Sequence, residues 1–152
     1  MKSFSELHEI IEKELSDLYY PSTPKHLYDP IKYVLNIGGK RIRPILMLLS
    51  HQLFSEDIEK SIKAALGIEV FHNFTLLHDD IMDEAPLRRG LQTAHEKWDN
   101  NTAILSGDTM LVQAFHLISQ VENKNLRKIL EVFNKASTEV CEGQQWDINF
   151  AQ

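Results

Sequence analysis

The residues best suited to chemistry form an acidic cluster at the end of an otherwise apolar helical stretch. Asp79, Asp80 and Asp83 follow a segment rich in leucine and phenylalanine, and Glu84 comes next, before Pro86. Successive helical residues turn by about 100°, so Asp79 and Asp83 lie one above the other. Bare carboxylates at this spacing repel each other, and the helix dipole disfavours negative charge at a C-terminus. A bound cation would remove both penalties, and a solvated acidic helix end is the alternative.

The carboxylate oxygens of this cluster are ligands typical of Mg²⁺ sites. Mg²⁺ prefers oxygen ligands, binds through one or two carboxylates and completes its coordination with water and substrate phosphate oxygens. Arg88 and Arg89 follow the cluster, and their planar guanidinium groups match phosphate oxygens. Carboxylates, a divalent cation and arginines together predict a diphosphate-binding site.

A basic segment provides a second candidate for anion binding. It reads Gly38-Gly39-Lys40-Arg41-Ile42-Arg43-Pro44 and places three cations at the start of a helix. Cations there oppose the helix dipole, so a bound anion would reduce the repulsion. Lys40 and Arg43 are three residues apart and share a face, whereas Arg41 points away from them. A basic loop that pairs with surface acids is the alternative.

Two weaker signals accompany these clusters. His72 precedes Asp79 by seven residues and returns to within about 20° of the same helix face, although a hydrogen-bonded core histidine is the alternative. Gly143 lies inside a predicted helix, where glycine indicates close approach of another backbone or a ligand. Gln144 and Asp147 share a face of that helix at the i, i+3 spacing. We assign Gly107, in Ser106-Gly107-Asp108, to packing between helices.

The composition narrows the class of protein. The chain has 152 residues, a formal net charge of −6 and a single cysteine, Cys141. Without a lysine- and arginine-rich block, nucleic acid is not an expected partner. No apolar stretch reaches the roughly 18 residues of a membrane span, and no signal-peptide pattern follows Met1. We therefore expect a cytoplasmic protein without stable membrane insertion.

The elements that must position these residues are helices. Helical periodicity predicts an all-α, antiparallel helical bundle. A capping box at Ser3 and Glu6 begins the first helix, Thr23-Pro24 begins the second, and Pro21 and Pro30 also punctuate this stretch. Further helices are expected over residues 42–54, 57–83, 101–121 and from 125 onward. No segment alternates as a half-buried strand does.

Taken in chain order, three motifs resemble those of the trans-isoprenyl diphosphate synthases, or polyprenyl synthetases. They are Gly-Gly-Lys-Arg-x-Arg-Pro, Asp-Asp-x-x-Asp followed by Arg-Arg, and Gly-Gln-x-x-Asp, within residues 35–147. The resemblance implies an isoprenoid-synthase fold and Mg²⁺-dependent condensation of isopentenyl diphosphate with an allylic diphosphate. The allylic diphosphate ionises, the double bond of isopentenyl diphosphate attacks the carbocation, and a proton is lost. The product is five carbons longer.

The resemblance also assigns roles to particular residues. Asp79, Asp80, Asp83 and Arg88 would form the catalytic set. In it Asp79 and Asp83 bind Mg²⁺, Asp80 orients or hydrogen-bonds, and Arg88 contacts the allylic diphosphate. Asp147 would assist at the metal. The remaining substrate contacts would come from other elements: Lys40, Arg43, His72 and Arg89 for isopentenyl diphosphate, and Gln144 for the allylic site.

Product length is implied by the residues just before the aspartates. Phe74 is the fifth residue before Asp79 and Thr75 follows it, a pattern most similar to geranylgeranyl (C20) synthases, with farnesyl (C15) synthases second. A helical wheel places Phe74 about 140° from Asp79, whereas Phe71 and Thr75 lie nearer the metal face. The spacing alone therefore does not show that Phe74 lines the product tunnel.

The sequence also departs from the family pattern. Family members are twice this long and carry a second aspartate-rich motif on a later helix. We therefore expect residues 1–152 to form the N-terminal portion of a single, incomplete bundle with weak activity by itself. Two alternatives remain: a non-catalytic or regulatory subunit of a heteromeric synthase, and a helical scaffold with a fortuitous acidic patch. The resemblance further implies a homodimer.

Overall fold

The computed structural model describes residues 1–150, apart from the side chain of Asn123. Over these residues the fold is all-α, as predicted. Seven helices and one short hairpin follow each other along the described chain: α1 Phe4–Ser16, α2 Lys25–Asn36, α3 Ile42–Gln52, α4 Glu59–Met82, β1 Leu87–Arg88, β2 Leu91–Gln92, α5 Ala94–Lys97, α6 Asn100–Ser119 and α7 Asn123–Phe150. No helix within residues 1–150 is long and apolar enough to cross a membrane.

The first two helices test the helix-start signals in the sequence, namely the capping box and the prolines. The predicted capping box is present, because the Ser3 amide donates to Glu6 Oε2 at 2.8 Å and the Glu6 amide donates to Ser3 Oγ at 3.3 Å. Helix α2 begins directly after Pro24, as expected. The prediction that Pro30 would punctuate the chain was wrong, since Pro30 lies buried inside α2. Packing of this helix outweighs the single backbone hydrogen bond that proline removes.

Helix α4 is the centre of the bundle, and its neighbours fix its position. His78 of α4 lies beside Gly107 of α6, where a Cβ would overlap the imidazole ring. The predicted packing role of Gly107 is thus confirmed. Helix α6 runs antiparallel to α4, and α7 then returns antiparallel to α6. Helices α4 and α7 are consequently parallel, since Phe71 contacts Phe133 and Asp79 contacts Gln144 further along both helices.

Helix α4 ends inside the acidic cluster, through a turn of the Schellman type. The amide of Ala85 donates to the carbonyl of Asp80 at 2.9 Å, and the amide of Glu84 donates to that of Ile81 at 3.3 Å. Glu84 has a left-handed φ of 50°, at the position usually taken by glycine. The turn sends the chain away from the helix axis and directly into the hairpin that carries the arginines.

The hairpin β1–β2 was not expected from the sequence. Leu87 pairs with Gln92 and Arg88 pairs with Leu91, which leaves Arg89-Gly90 as a two-residue connection. Both connecting residues have positive φ, 53° and 80°, as in the turns that match strand twist. Two paired positions on each side are too few to give a detectable alternation. The two-residue turn ending in glycine was the available signal.

Candidate diphosphate-binding site

The acidic side of the site is organised around a buried aspartate. Asp80 is 5% exposed, and its carboxylate accepts hydrogen bonds from Arg88 Nε at 2.8 and 3.0 Å. Arg88 Nη2 also lies 2.6 Å from Asp80 Oδ1 and 3.5 Å from Asp79 Oδ2. The ion pair with Asp80 therefore holds Arg88 beside the more exposed Asp79. A side chain on the hairpin is in this way fixed against the end of α4.

Asp79 is approached from the opposite side by α7. Gln144 Nε2 donates to Asp79 Oδ1 at 2.9 Å, although the two residues are 65 positions apart. Partial burial and the nearby Asp83 carboxylate raise the pKa of Asp79, against the opposing effects of Arg88 and Gln144. The negative charge of Asp79 is thus incompletely neutralised by this chain, which is the condition expected of a cation ligand.

The donor chemistry at Asp79 and Asp83 fits magnesium. The two carboxylates stand one turn apart at the end of α4, and two are enough when water and a diphosphate supply the remaining oxygens. Among residues 1–150 no group of three or more metal-binding side chains converges. Asp147 is exposed on α7 and is not brought into a three-ligand group with them. Asp79 and Asp83 are therefore the candidate ligands among the described residues.

The basic side of the site lies between α3 and α4. Arg43 Nη1 donates to His72 Nε2 at 3.1 Å, which joins two of the predicted substrate-binding residues. A Cβ added at Gly39 would lie 2.7 Å from Arg89 Nη1, so Arg89 reaches the basic segment from the hairpin. Lys40 is exposed on the same segment. The structure thus gathers the cationic residues that sequence motifs scattered over 50 positions.

The protonation state of His72 reflects this cationic setting. Burial and the charges of Arg43 and Arg89 lower the pKa of His72 from 6.5 to about 4. The imidazole is therefore neutral near pH 7, with Nε2 accepting from Arg43. A bound anion would oppose the arginine charges and raise this pKa, because it favours the protonated form.

A large apolar cavity opens between these two sides. Its volume is about 920 Å³. Its walls are formed by α3, α4, α6 and α7, and we refer to its polar lining residues Arg43, His72, Asp79 and Gln144 as its mouth. The predicted chain-length residues Phe71, Phe74 and Thr75 all line it. Phe74 shares this cavity with Asp79 despite their separation on a helical wheel, because the cavity extends along α4 and wraps partly around it.

An aromatic cluster forms part of the cavity wall, and one of its main members was missed in the sequence. Phe133 of α7 is 9% exposed and contacts the rings of Phe71 and Phe115 edge-to-face, with centroids 5.2 and 5.0 Å apart. Phe71 also contacts Phe74, at 5.6 Å. Phe133 lies eleven residues before Gln144 on α7. The helical period linking the two could have placed Phe133 on the same face.

Backbone strain is concentrated around the same site. Arg41, Glu84 and Arg89 have positive φ values of 47°, 50° and 53°. Non-glycine residues adopt this region rarely, and such residues cluster where the surrounding structure fixes them for function. One lies in the basic segment, one ends α4 and one forms the hairpin turn. All three therefore lie in the connections that carry the charged groups.

Comparison with known proteins places this geometry in context. The polyprenyl synthetase family model matches residues 24–152. Geranylgeranyl diphosphate synthase of Methanosarcina mazei is 39% identical over 142 residues, covering 92% of this chain and 44% of that protein. Short chain isoprenyl diphosphate synthase of Methanocaldococcus jannaschii is 42% identical over 141 residues, covering 92% and 42% respectively.

Solved structures give the same result. A crystal structure of a geranylgeranyl pyrophosphate synthase superimposes with a TM-score of 0.94 at 45% identity, covering 99% of this chain and 46% of that one. The geranylgeranyl pyrophosphate synthetase of the archaeon Geoglobus acetivorans gives 0.93 at 38% identity, covering 98% and 49%. The chain thus spans less than half the length of these relatives.

Proposed function

The chain belongs to the polyprenyl synthetase family, and on this basis we propose that its site takes part in Mg²⁺-dependent prenyl transfer. The reaction joins isopentenyl diphosphate to an allylic diphosphate and lengthens the chain by five carbons. The observation that carries this proposal is one apolar cavity whose lining includes both Asp79, which accepts from Gln144, and Arg43, which donates to His72. A diphosphate head with an apolar tail matches both parts.

In the proposed reaction the two sides of the mouth hold different substrates. Asp79 and Asp83 would bind Mg²⁺, which neutralises charge on the allylic diphosphate, and Asp147 would assist there. Arg88, held by Asp80, would add a fixed cation where negative charge develops on the leaving diphosphate. Gln144 would orient Asp79. The isopentenyl diphosphate would bind to the basic group: Lys40, Arg43, His72 and Arg89.

The cavity would then control the fate of the carbocation. The allylic C–O bond breaks, the double bond of isopentenyl diphosphate attacks the cation, and the adduct loses a proton. Apolar walls exclude water that would otherwise capture the cation. Phe71, Phe74 and Thr75 line the cavity, along which the growing tail would extend. We propose a C20 product first and a C15 product second, with these residues and Phe133 setting the limit.

The alternative function is that of a non-catalytic or regulatory subunit of a heteromeric synthase. On either proposal we expect the residues to belong to one isoprenoid-synthase domain of a cytoplasmic protein.

We also propose a homodimer. Several large apolar side chains on the outer face of α6 are exposed, namely Ile104, Leu105 and Val112. Leu105 and Val112 are seven residues apart and so share a helix face, and exposed apolar surface favours association. Sedimentation velocity over a range of concentrations would test the proposal. A strictly monomeric species at every concentration would exclude it.

The proposed function is tested by ligand binding. Isothermal titration with a non-hydrolysable allylic diphosphate analogue should show Mg²⁺-dependent binding to the purified chain. Asp79→Ala should weaken this binding at least tenfold, whereas Asp108→Ala, at an exposed aspartate of α6, should not change it. Binding that is absent, or independent of both Mg²⁺ and Asp79, would leave a helical scaffold as the remaining interpretation.

Mixing experiments separate the enzyme from the subunit. The chain would be added to a full-length synthase, and product length would be measured with radiolabelled isopentenyl diphosphate. A change in product length that persists with the Asp79→Ala variant favours the regulatory subunit. Condensation that depends on Asp79 favours the enzyme.

A further inference from the structure

Arg41 lies inside the protein, although its cationic neighbours Lys40 and Arg43 are exposed. The Arg41 side chain is 0% exposed. A buried charge is tolerated only when it is paired and hydrogen-bonded. The partners that hold Arg41 therefore determine how the basic segment sits on the protein.

Three different helices provide those partners. Arg41 Nε donates to Glu12 Oε1 of α1 at 2.7 Å, and Nη1 donates to Glu69 Oε1 of α4 at 2.8 Å. Nη2 donates to the carbonyl of Leu35 in α2, also at 2.7 Å. The guanidinium is planar and its donors have fixed directions. These contacts therefore set the orientation of Arg41 as well as its depth.

The backbone of Arg41 is fixed along with its side chain. Its φ of 47° and ψ of 34° lie in the left-handed region, which a non-glycine residue adopts only when other contacts hold it there. Gly38, at φ 85°, begins the same turn at little steric expense. The carbonyl of Arg41 then accepts from the amide of Ile45 at 3.2 Å and so starts α3.

The anchor lies next to the substrate-binding contact. Glu69, which holds Arg41, is three residues before His72 on α4 and also accepts from Asn73 Nδ2 at 3.1 Å. Arg43, two residues after Arg41, donates to His72 at 3.1 Å. The inward contact and the outward contact thus connect the same segment to adjacent turns of one helix. Arg41 itself does not line the cavity.

We propose that Arg41 is a positioning residue, which through Glu12 and Glu69 holds the basic segment on α4 so that Arg43 stays beside His72. The identity of the ligand, isopentenyl diphosphate, rests on the proposed function. The placement of Arg43 by Arg41 does not, and it is tested separately.

The test measures the titration of His72 by NMR in the 152-residue chain, with the resonance assigned from a His72→Gln spectrum. Arg41→Lys loses the three directed contacts but keeps the positive charge, and with it most of the smaller direct effect of Arg41 on the pKa of His72. A large change in that pKa therefore reports movement of Arg43. The pKa of His72 should rise from about 4 by about one unit, a tenfold change in its protonation equilibrium.

Two further variants calibrate this measurement. Arg43→Gln removes the contact with His72 directly and should raise the pKa of His72 similarly. Arg127→Lys, at an exposed arginine of α7, is the matched control and should change nothing.

The outcomes separate positioning from simple stabilisation. An Arg41→Lys protein that melts at lower temperature while the His72 titration stays unchanged would overturn the proposal. If Arg41→Lys does not fold, Glu12→Gln removes one partner that is itself 38% exposed. Glu69 and Leu35 still hold Arg41 in this variant, so a smaller rise in the pKa of His72 is expected, and an unchanged titration overturns the proposal.

Ligand binding adds a second readout. Arg41→Lys should weaken binding of isopentenyl thiolodiphosphate about tenfold and change Mg²⁺-dependent binding of the allylic analogue less than about twofold, since only the basic side is displaced. Equal losses for both ligands would contradict a positioning role. If the unmodified chain binds neither ligand while the His72 titration shifts as expected, the proposed function fails and the role of Arg41 stands.

Discussion

The two sides of the cavity mouth are built on the same plan with opposite charges. On the basic side, Arg41 is buried and held by Glu12 and Glu69, while Arg43 remains exposed. On the acidic side, Asp80 is buried and held by Arg88. Its neighbour Asp79 remains partly exposed. In each cluster of like charges, one member faces the interior and another faces the cavity.

This arrangement explains how adjacent like charges can be concentrated at one site. The buried member of each cluster pairs with an opposite charge inside the protein. The like charges of the cluster therefore repel each other less than the sequence alone indicates. The same internal pair fixes the backbone from which the outward member projects. The two sides differ in one respect: Arg41 is fully enclosed by three helices, whereas the partner of Asp80 is on the hairpin and is itself 29% exposed. Removing each anchor measures this difference.

The largest effect is expected from Arg41→Ala. It leaves Glu69, whose side chain is 4% exposed, as an unpaired buried charge. Breaking a buried pair in this way lowers the free energy of unfolding by about 3–5 kcal/mol, measured by urea denaturation. Arg127→Ala, at an exposed arginine, should stay within about 0.5 kcal/mol of the unmodified protein. Similar losses for the two variants would refute the buried anchor.

Asp80→Asn should have the next largest effect. The amide keeps the shape of the side chain but loses the charge-assisted hydrogen bonds to Arg88, worth about 1.5–3 kcal/mol. The same urea experiment measures it, with Asp108→Asn as the exposed control. A loss as large as that of Arg41→Ala would remove the proposed difference between the two anchors.

The pH dependence of stability should reveal the lowered pKa of His72 on the basic side of the site. The pKa of His72 is about 4 in the folded protein, so the unfolded state binds more protons between about pH 4 and 6.5. The contribution of His72 to stability is therefore complete above 6.5 and falls as the pH is lowered toward 4. With allowance for solvent screening, it amounts to about 1 kcal/mol. Urea denaturation across this range should show a flatter profile for His72→Gln, and an unchanged slope would contradict the assignment.

The smallest effect on stability is expected from Asp79→Asn. It relieves the repulsion between Asp79 and Asp83, so the free energy of unfolding should stay constant or rise by a few tenths of a kcal/mol. Thermal denaturation without Mg²⁺ is the suitable measurement. A marked loss of stability would show that Asp79 is a structural residue like Asp80, and the plan of one inward and one outward charge would fail.

The sequence predicted the helices better than it predicted the roles of charged residues. Helical periodicity and capping signals depend on neighbours along the chain, so the capping box at Ser3 and the span of α4 followed directly. The sequence also indicated that Arg41 points away from Lys40 and Arg43. It did not reveal what Arg41 contacts, because Glu12 and Glu69 approach from distant parts of the chain.

The hairpin and the aromatic cluster were missed for similar reasons. The hairpin has too few paired residues for an alternating pattern, and tertiary contacts decide its presence. One such contact is the hydrogen bond of 2.7 Å from the Tyr33 hydroxyl to the carbonyl of Gln92. Phe133 is an ordinary apolar residue in an amphipathic helix until α7 is placed beside α4. The contacts that assemble this site are between elements, and single-sequence patterns describe one element at a time.

The close crossing at Gly107 has a mechanical consequence. Because the imidazole of His78 fills the space where a side chain would stand, α4 and α6 meet without slack, and close-packed interiors transmit strain rather than absorb it. This contact therefore holds α4 one residue before Asp79, the first of the two proposed Mg²⁺ ligands. A displacement of α4 at the crossing would move Asp79 and Asp80 together. Their contacts with Arg88 of the hairpin and Gln144 of α7 would be kept only if those two elements moved with α4.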